Sequence, residues 1–446
     1  MKRFPWDPAR WVYAAFSMLA VVAAGGPAFA QVPPPIDLPQ PVSIAGRIAN
    51  PSDLQEPPPP PANPSQPCVP GAQGAPCVQP PPNGCVPTPL CEEKGFCGSL
   101  CECKLGEPWT LTGAIFEKDP PLTIGGWWQF GYHNRSTGVF NTHPHHLDLQ
   151  QAWLYVEKVA DGSKGLGLGG RMDVLYGTDA QNTQSFGNNP GRFDFQNGFD
   201  HGVYGWAIPQ LYGEVAWDKW SVKAGHFFTP AGYEVVGATG NFFYSHSLTH
   251  NFSEPFTHTG FLATYKPTDK LTVYGGWTLG WDTGFDRFDD GSNFIGGATY
   301  AITDKMAATY IMTVGDLGWV GEGNSHHFIF DWKFAEKWQY VLTSDILHTN
   351  EPVFTGNGYD TVGLNNYVFY TINDCWKVGG RGEWWKADGI SYHVISGGVN
   401  WKPMANLTIR PELRYQWSPA GDGDAGNPVG LPLKGAMFGI DAVLTY

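Results

Sequence analysis

The chain has 446 residues and a formal net charge of −14, yet only 15% of its residues are charged, while 15% are aromatic and 57 are glycine. Soluble proteins usually have about a quarter of their residues charged, so this composition favours a protein whose surface meets lipid. The acidic balance excludes nucleic acid as an expected partner, because phosphate binding requires patches of Lys and Arg.

Residues 1–30 have the pattern of a secretory signal peptide. A basic start precedes an apolar run over 11–24, and Ala28-Phe29-Ala30 is a small-x-small cleavage pattern. We expect cleavage after Ala30, with an uncleaved membrane anchor as the alternative. Beyond this segment no run of about 18 apolar residues occurs, so we expect no further transmembrane helix.

Residues 31–107 are expected to form a Pro-rich linker and a Cys-rich module. Of the 38 prolines, 20 lie in 31–90, and such a stretch should be an extended spacer outside any core. After export the cysteines face an oxidising compartment, so we expect local disulfides. A metal site is one alternative, and intermolecular cross-linking is another because the cysteines of this region are odd in number. The disulfide candidates are Cys68, Cys77, Cys85, Cys91, Cys97, Cys101 and Cys103, and the only other cysteine is Cys375.

Residues 108–446 alternate apolar and polar side chains in about sixteen segments, which Gly, Asn, Asp and Pro clusters separate. Segments of about 10 residues are long enough to cross a bilayer as tilted strands. The sequence therefore predicts an all-β fold, an antiparallel transmembrane β-barrel of about 16 strands after the Pro/Cys-rich region. A secreted β-sandwich or propeller is the alternative. Clear segments are 122–133, 165–176, 270–282, 327–334, 376–385, 405–417 and 434–446.

The two faces of segment 405–417 favour the membrane barrel. One face is apolar or aromatic, and the other carries every charge of the segment. The same parity in 270–282 places Trp281 on the apolar face. A soluble sheet would cover its outer face with Lys and Glu, so we expect the apolar faces to meet lipid. In 405–417 the apolar face is Leu407, Ile409, Pro411, Leu413, Tyr415 and Trp417, and the charges are Arg410, Glu412 and Arg414.

Charged residues on the polar faces are the expected pore lining. They form a ring of mixed sign, which would pass small polar solutes without strong ion selectivity. We expect the heads of Arg410 and Arg414 to be solvated. A salt-bridged plug is the alternative, although about sixteen strands favour an open channel. The positive set is Arg171, Lys223, Lys333, Lys377, Arg381, Arg410 and Arg414, and the negative set is Asp173, Glu214, Asp331, Asp345, Glu383, Glu412 and Asp441.

Two loops carry further candidate residues. The stretch 229–257 is the longest irregular segment of the barrel region, and long loops are usually functional or disordered. Folded into the lumen it would narrow the pore, with Glu234 as the charged residue there, and an external loop is the equal alternative. A second loop holds His143, His145 and His146, which could bind a divalent metal, although we expect only a solvated turn.

Several segments resemble the OmpL-like β-barrel porin family. They are GHFFTPAGYE at 225–234, NFFYSHS at 241–247, LQQAWLYVE at 149–157 and IGGWWQFGY at 124–132. The resemblance covers about 108–446 and implies an outer-membrane barrel of porin type. The region 31–107 departs from that family.

The sequence thus predicts an outer-membrane porin of a diderm bacterium, for passive diffusion of small polar solutes or ions. The alternative is a structural or adhesive barrel, attached to the cell wall or surface layer through its Cys/Pro-rich N-terminal region. Catalytic motifs are absent from the sequence, so we expect no enzyme activity, no cofactor and no metal. The candidate partners are outer-membrane lipid, the barrel-insertion machinery, which would read the final aromatic Tyr446, further copies in a homotrimer, and cell-wall components.

Overall fold

A computed structural model of the protein describes residues 103–116, 120–350, 359–420 and 434–446. Sixteen antiparallel strands form one closed barrel, in which every strand pairs with its neighbours in sequence and β1 closes onto β16. This confirms the all-β barrel that the alternation predicts. The signal peptide, the Pro-rich linker and six of the disulfide candidates (Cys68, Cys77, Cys85, Cys91, Cys97 and Cys101) lie outside the described residues.

The strands are 9 to 15 residues long, enough to cross a bilayer at a tilt. They are β1 Thr123–His133, β2 Leu147–Lys158, β3 Gly167–Gly177, β4 Gly205–Trp217, β5 Trp220–Phe228, β6 Thr257–Thr268, β7 Leu271–Trp281, β8 Ser292–Thr303, β9 Met306–Asp316, β10 Glu322–Ala335, β11 Trp338–Thr349, β12 Tyr359–Asn373, β13 Trp376–Ala387, β14 Ile390–Met404, β15 Leu407–Trp417 and β16 Gly435–Thr445.

Short helices lie in the segments between the strands and before the barrel. In the described part of the chain, no helix has the length and apolar character needed to cross a membrane. The helices are α1 Leu111–Ile115, α2 Ala180–Thr183 and α3 Leu248–Ser253, with 3-10 turns η1 Ala238–Gly240 and η2 Gly318–Val320.

The connections differ between the two ends of the barrel. At the end where β1 begins and β16 finishes, most connections are two-residue turns such as 218–219 and 374–375. At the other end they include the long loops 178–204 and 229–256. In bacterial outer-membrane barrels the short turns face the periplasm and the long loops face outside. We therefore call these the periplasmic and external ends.

The alternation of faces is as predicted along β15 but not at the end of β7. Leu413 is 66% exposed on the outer wall, whereas Arg414 beside it is buried inside. Trp281, expected on the lipid face, is 1% exposed inside the barrel, where its Nε1 donates to Thr313 Oγ1 at 3.0 Å. The cause is a β-bulge, because the register between β6 and β7 shifts before Trp281 and Gly280 adopts a φ of +100°.

The segment before the barrel is fixed to the periplasmic rim. Cys103 forms a disulfide with Cys375, which lies in the two-residue turn between β12 and β13. Further along, Trp109 N donates to Asn406 Oδ1 at 2.7 Å in the turn between β14 and β15. The expectation of a local partner for Cys103 is therefore wrong, because the chain returns past a turn that lies 272 positions away in sequence.

Candidate functional site

The loop between β5 and β6 folds inside the barrel. We call residues 229–256 the lumen loop, and within it only Thr239 and Gly240 are exposed. Its own contacts shape it, since Ser247 caps α3 by accepting from His250 N at 3.0 Å. The structure thus places Glu234 inside the barrel, 7% exposed. Of the two loop positions that the sequence allowed, inward and external, the structure has the inward one.

Arg381 on β13 forms the centre of the contacts that hold the lumen loop. Its Nη1 donates to Glu234 Oε1 at 2.7 Å and to the backbone oxygen of Ser245 at 2.9 Å. Its Nη2 donates to Ser245 Oγ at 3.0 Å and lies 3.6 Å from Glu412 Oε1. The guanidinium also lies 5.0 Å from the centre of the Phe243 ring. One wall cation therefore binds three separate points of the loop.

Two further arginines bind backbone oxygens of the same loop. Arg410 pairs with Asp441 on β16 and donates to the carbonyl oxygens of Ala238 at 2.6 Å and Asn241 at 2.7 Å. Arg414 donates to the carbonyl oxygen of His246 at 2.6 Å. The expectation that both heads are solvated is wrong, because the loop covers them and each arginine is 3% exposed.

Wall carboxylates bind the loop in the same way. Glu412 accepts from Ser245 N at 2.7 Å and from Ser245 Oγ at 2.8 Å. Glu383 accepts from Thr249 N at 2.9 Å and from Thr249 Oγ1 at 3.1 Å. Charged wall groups of both signs thus form hydrogen bonds with loop atoms in place of water, as buried polar groups must. We call this set the buried ring, namely Arg381, Glu383, Arg410, Glu412, Arg414 and Asp441.

Strand β2, next to β1 in the barrel, contacts the loop through neutral side chains that were not among the predicted site residues. Gln151 on β2 accepts from Ala238 N at 3.0 Å and donates to the carbonyl oxygen of Val236 at 2.8 Å. Gln150 donates to the hydroxyl of Tyr244 at 2.8 Å. Both glutamines belong to the family-like segment at 149–157.

Ionisation of the loop depends on these contacts. Burial opposes the charge of Glu234, but the Arg381 guanidinium and the neighbouring His246 hold the pKa of that carboxyl well below its usual range. Burial lowers the pKa of His246 to about 4, although Glu234 opposes that shift. At neutral pH the loop therefore contains an anionic Glu234 and a neutral His246.

Most of the remaining charged positions, which lie near the periplasmic end, stay accessible. Arg171 donates to Asp173 at 2.7 Å and to Glu157 at 3.4 Å, and its guanidinium lies 4.4 Å from the Tyr155 ring. Asp173 is fully buried, and the other members keep partial or full exposure. We call this set the open ring, namely Glu157, Arg171, Asp173, Glu214, Lys223, Asp331, Lys333 and Lys377.

The open ring is balanced in sign. It has four cations and four carboxylates, counting Glu157, which sequence reasoning missed. Glu157 lies opposite Arg171 in the register of β2 with β3, a pairing that only the structure reveals. Asp345, the remaining predicted pore-lining residue, lies in neither ring and contacts His327 instead.

The barrel is similar to one described protein family and to solved barrel structures. Residues 121–445 match the protein family described as "Putative beta-barrel porin-2, OmpL-like". The anion-selective porin from Comamonas acidovorans has a TM-score of 0.50 at 11% identity, over 73% of this chain and 99% of that chain. The in-vitro folded OmpT of Vibrio cholerae, in trimer form, has a TM-score of 0.45 at 13% identity, over 73% and 99%. No curated protein matches this chain.

Proposed function

Because this chain belongs to the beta-barrel porin-2, OmpL-like family, we propose that it conducts small polar solutes or ions by passive diffusion across the outer membrane. The lumen loop is the constriction in this proposal, with Glu234 at its centre. The observation that carries the proposal is the open ring, since charged side chains keep access to water inside a closed barrel. A purely structural barrel has no need of a wet, charged interior.

The charges of the open ring support weak selectivity. Four cations face four carboxylates, and several heads lie against aromatic rings, such as Lys377 Nζ at 4.5 Å from the Phe369 ring. Balanced fixed charges raise the local concentration of neither anions nor cations strongly in the lumen. The proposed solutes are therefore small and polar, of either sign or neutral.

The lumen loop limits the size of the solute in this proposal. It contacts wall strands from β2 through β1 and β16 to β10. We therefore expect any water path beside the loop to be narrow. One cavity at its external side is lined by Arg414, Arg135, Thr137 and Met437. A water path along this side of the loop would pass the buried ring, which gives that ring control over permeation.

Swelling of proteoliposomes in sugars of graded size tests the proposal. We expect a pentose to enter vesicles that contain the full-length protein, and larger oligosaccharides to be excluded. Protein-free vesicles of the same lipid are the control. A protein that inserts but admits neither the pentose nor salt would overturn the proposed function.

The Cys103–Cys375 disulfide favours a second candidate function. It attaches the N-terminal region to the periplasmic rim, the end that faces the cell wall in this orientation. In this second proposal that region binds cell-wall components and the barrel serves as its anchor. Co-sedimentation of the full-length protein with purified peptidoglycan is the test, and absence of binding excludes this function.

The homotrimer and the contact with the insertion machinery stay predictions. Light scattering of the purified protein checks the homotrimer.

A further inference from the structure

Two carboxylates and one imidazole converge where the lumen loop meets β10 and β11. His327 and Asp345 are directly opposite in the register of these strands, and His327 Nδ1 lies 2.8 Å from Asp345 Oδ1. Glu254, the residue after α3, enters from the loop. One donor atom from each of the three residues lies within 4.8 Å of the others. All three are buried, with at most 5% exposure.

The charges of this cluster are not compensated by the protein. Within the described ranges, the ion-pair partners of Glu254 and Asp345 are histidines, and neither carboxylate pairs with Lys or Arg. Asp345 Oδ2 has no hydrogen-bond partner although it is fully buried. Buried carboxylates are normally paired or bound to a metal, so this cluster has the donor groups of a cation site.

The surroundings hold the three side chains in place. Ser325 Oγ lies 2.9 Å from His327 Nε2, which orients the ring. His250 Nδ1 lies 3.2 Å from Glu254 Oε2. Gly232 lies against the same carboxylate, and a Cβ at that position would be 2.2 Å from Glu254 Oε2. Hydrogen bonds of this kind orient ligands in metal sites.

We infer that Glu254, His327 and Asp345 bind one divalent first-row transition-metal ion, which clamps the lumen loop to β10 and β11. A 2+ ion neutralises the two carboxylates. Ca²⁺ and Mg²⁺ prefer oxygen ligands alone, whereas the imidazole favours Zn²⁺ and its neighbours in the Irving–Williams order. The inference departs from the sequence expectation of no metal. It does not depend on the proposed porin function.

Zn²⁺ titration of the full-length, chelator-treated protein in detergent tests the site. We expect one ion per chain at micromolar Zn²⁺, and His327→Gln should weaken binding by at least about 100-fold, since even outer partners contribute roughly 10- to 100-fold. Asp331→Asn, which removes another inward carboxylate of β10, is the matched control and should retain full affinity. The triple variant His143→Ala, His145→Ala, His146→Ala should also bind one ion, because that loop lies outside the cluster.

A second readout covers the case in which His327→Gln does not fold. In the wild-type protein, Zn²⁺ should slow hydrogen exchange at 248–256 while leaving the turn 218–219 unchanged. The inference is overturned if the wild-type protein binds no ion at micromolar Zn²⁺, or if the triple histidine variant abolishes the binding. It is also overturned if Zn²⁺ binds without protecting 248–256.

Discussion

Replacing Arg381 by Met should release the lumen loop. The substitution keeps most of the side-chain length but removes the cation, so Glu234 loses its 2.7 Å partner and Glu412 its 3.6 Å partner. Breaking a buried ion pair on one side typically costs ~3–5 kcal/mol, because the other charge stays buried without compensation. That free energy corresponds to roughly two to four orders of magnitude in the equilibrium between inserted and released loop.

Hydrogen exchange and urea unfolding in vesicles measure this effect. Arg381→Met should accelerate exchange in 229–256 and lower the urea midpoint, while the exchange of the outer strands changes less. Glu234→Gln in the same chain should recover part of the loss, since it removes the carboxylate that Arg381 leaves unpaired. Lys333→Met is the matched control, because it removes an exposed inward cation that the loop does not contact, and it should change stability by less than about 0.5 kcal/mol.

Two results would refute this reasoning. If Arg381→Met and Lys333→Met give the same exchange in 229–256, the buried ring does not hold the loop. If Glu234→Gln adds its full effect to that of Arg381→Met, the two side chains act independently and the ion pair has no role in loop insertion.

Four further predictions concern other residues. Leu413→Arg should destabilise the barrel in lipid by ~2–4 kcal/mol, and an unchanged urea midpoint would mean that the faces are inverted. Gly389→Ala, at a φ of +90° with open space around it, should cost about 1 kcal/mol for its backbone. Gly232→Ala, at a φ of +86°, should lower the stability clearly more, because its Cβ meets Glu254. Equal urea unfolding midpoints for Gly232→Ala and Gly389→Ala would contradict this contact. Cys103→Ser should increase tryptic cleavage at Lys104 and leave the barrel's unfolding midpoint unchanged, whereas unchanged cleavage would mean that the disulfide does not fix the rim segment. Loop insertion should weaken as pH falls from 6.5 to about 4, because a released His246 takes up a proton that the inserted one, with its pKa of about 4, does not. Hydrogen exchange of residues 229–256, corrected for intrinsic rates, measures this dependence on pH. His246→Gln should reduce the dependence, and an unaltered dependence would exclude His246 as the cause.

The barrel itself was predictable because alternation is a local property. Segment 405–417 shows its faces in the sequence, and the structure has β15 there with the expected sides. Trp281 shows the limit of this reasoning. A single bulged residue inverts the parity. Gly280 is only an ambiguous signal of a bulge, because the same strand has glycines at the regular positions Gly275 and Gly276.

The contents of the lumen could be predicted only in part. Inward charges follow from parity, but their solvation depends on which loop covers them, and that is a tertiary property. Arg414 looks the same in sequence whether it faces water or the carbonyl of His246. The approach of Glu254 to Asp345, and of Cys103 to Cys375, likewise joins positions that are far apart along the chain.

Single-channel conductance in a planar bilayer tests the central claim, a weakly selective porin narrowed by the lumen loop. The full-length protein should give small, ohmic current steps with a reversal potential near zero in a salt gradient, as the balanced open ring requires. Arg381→Met should give steps several-fold larger, because the released loop widens the path. If both proteins insert and neither passes current, the barrel is plugged and the account of it as a porin is wrong.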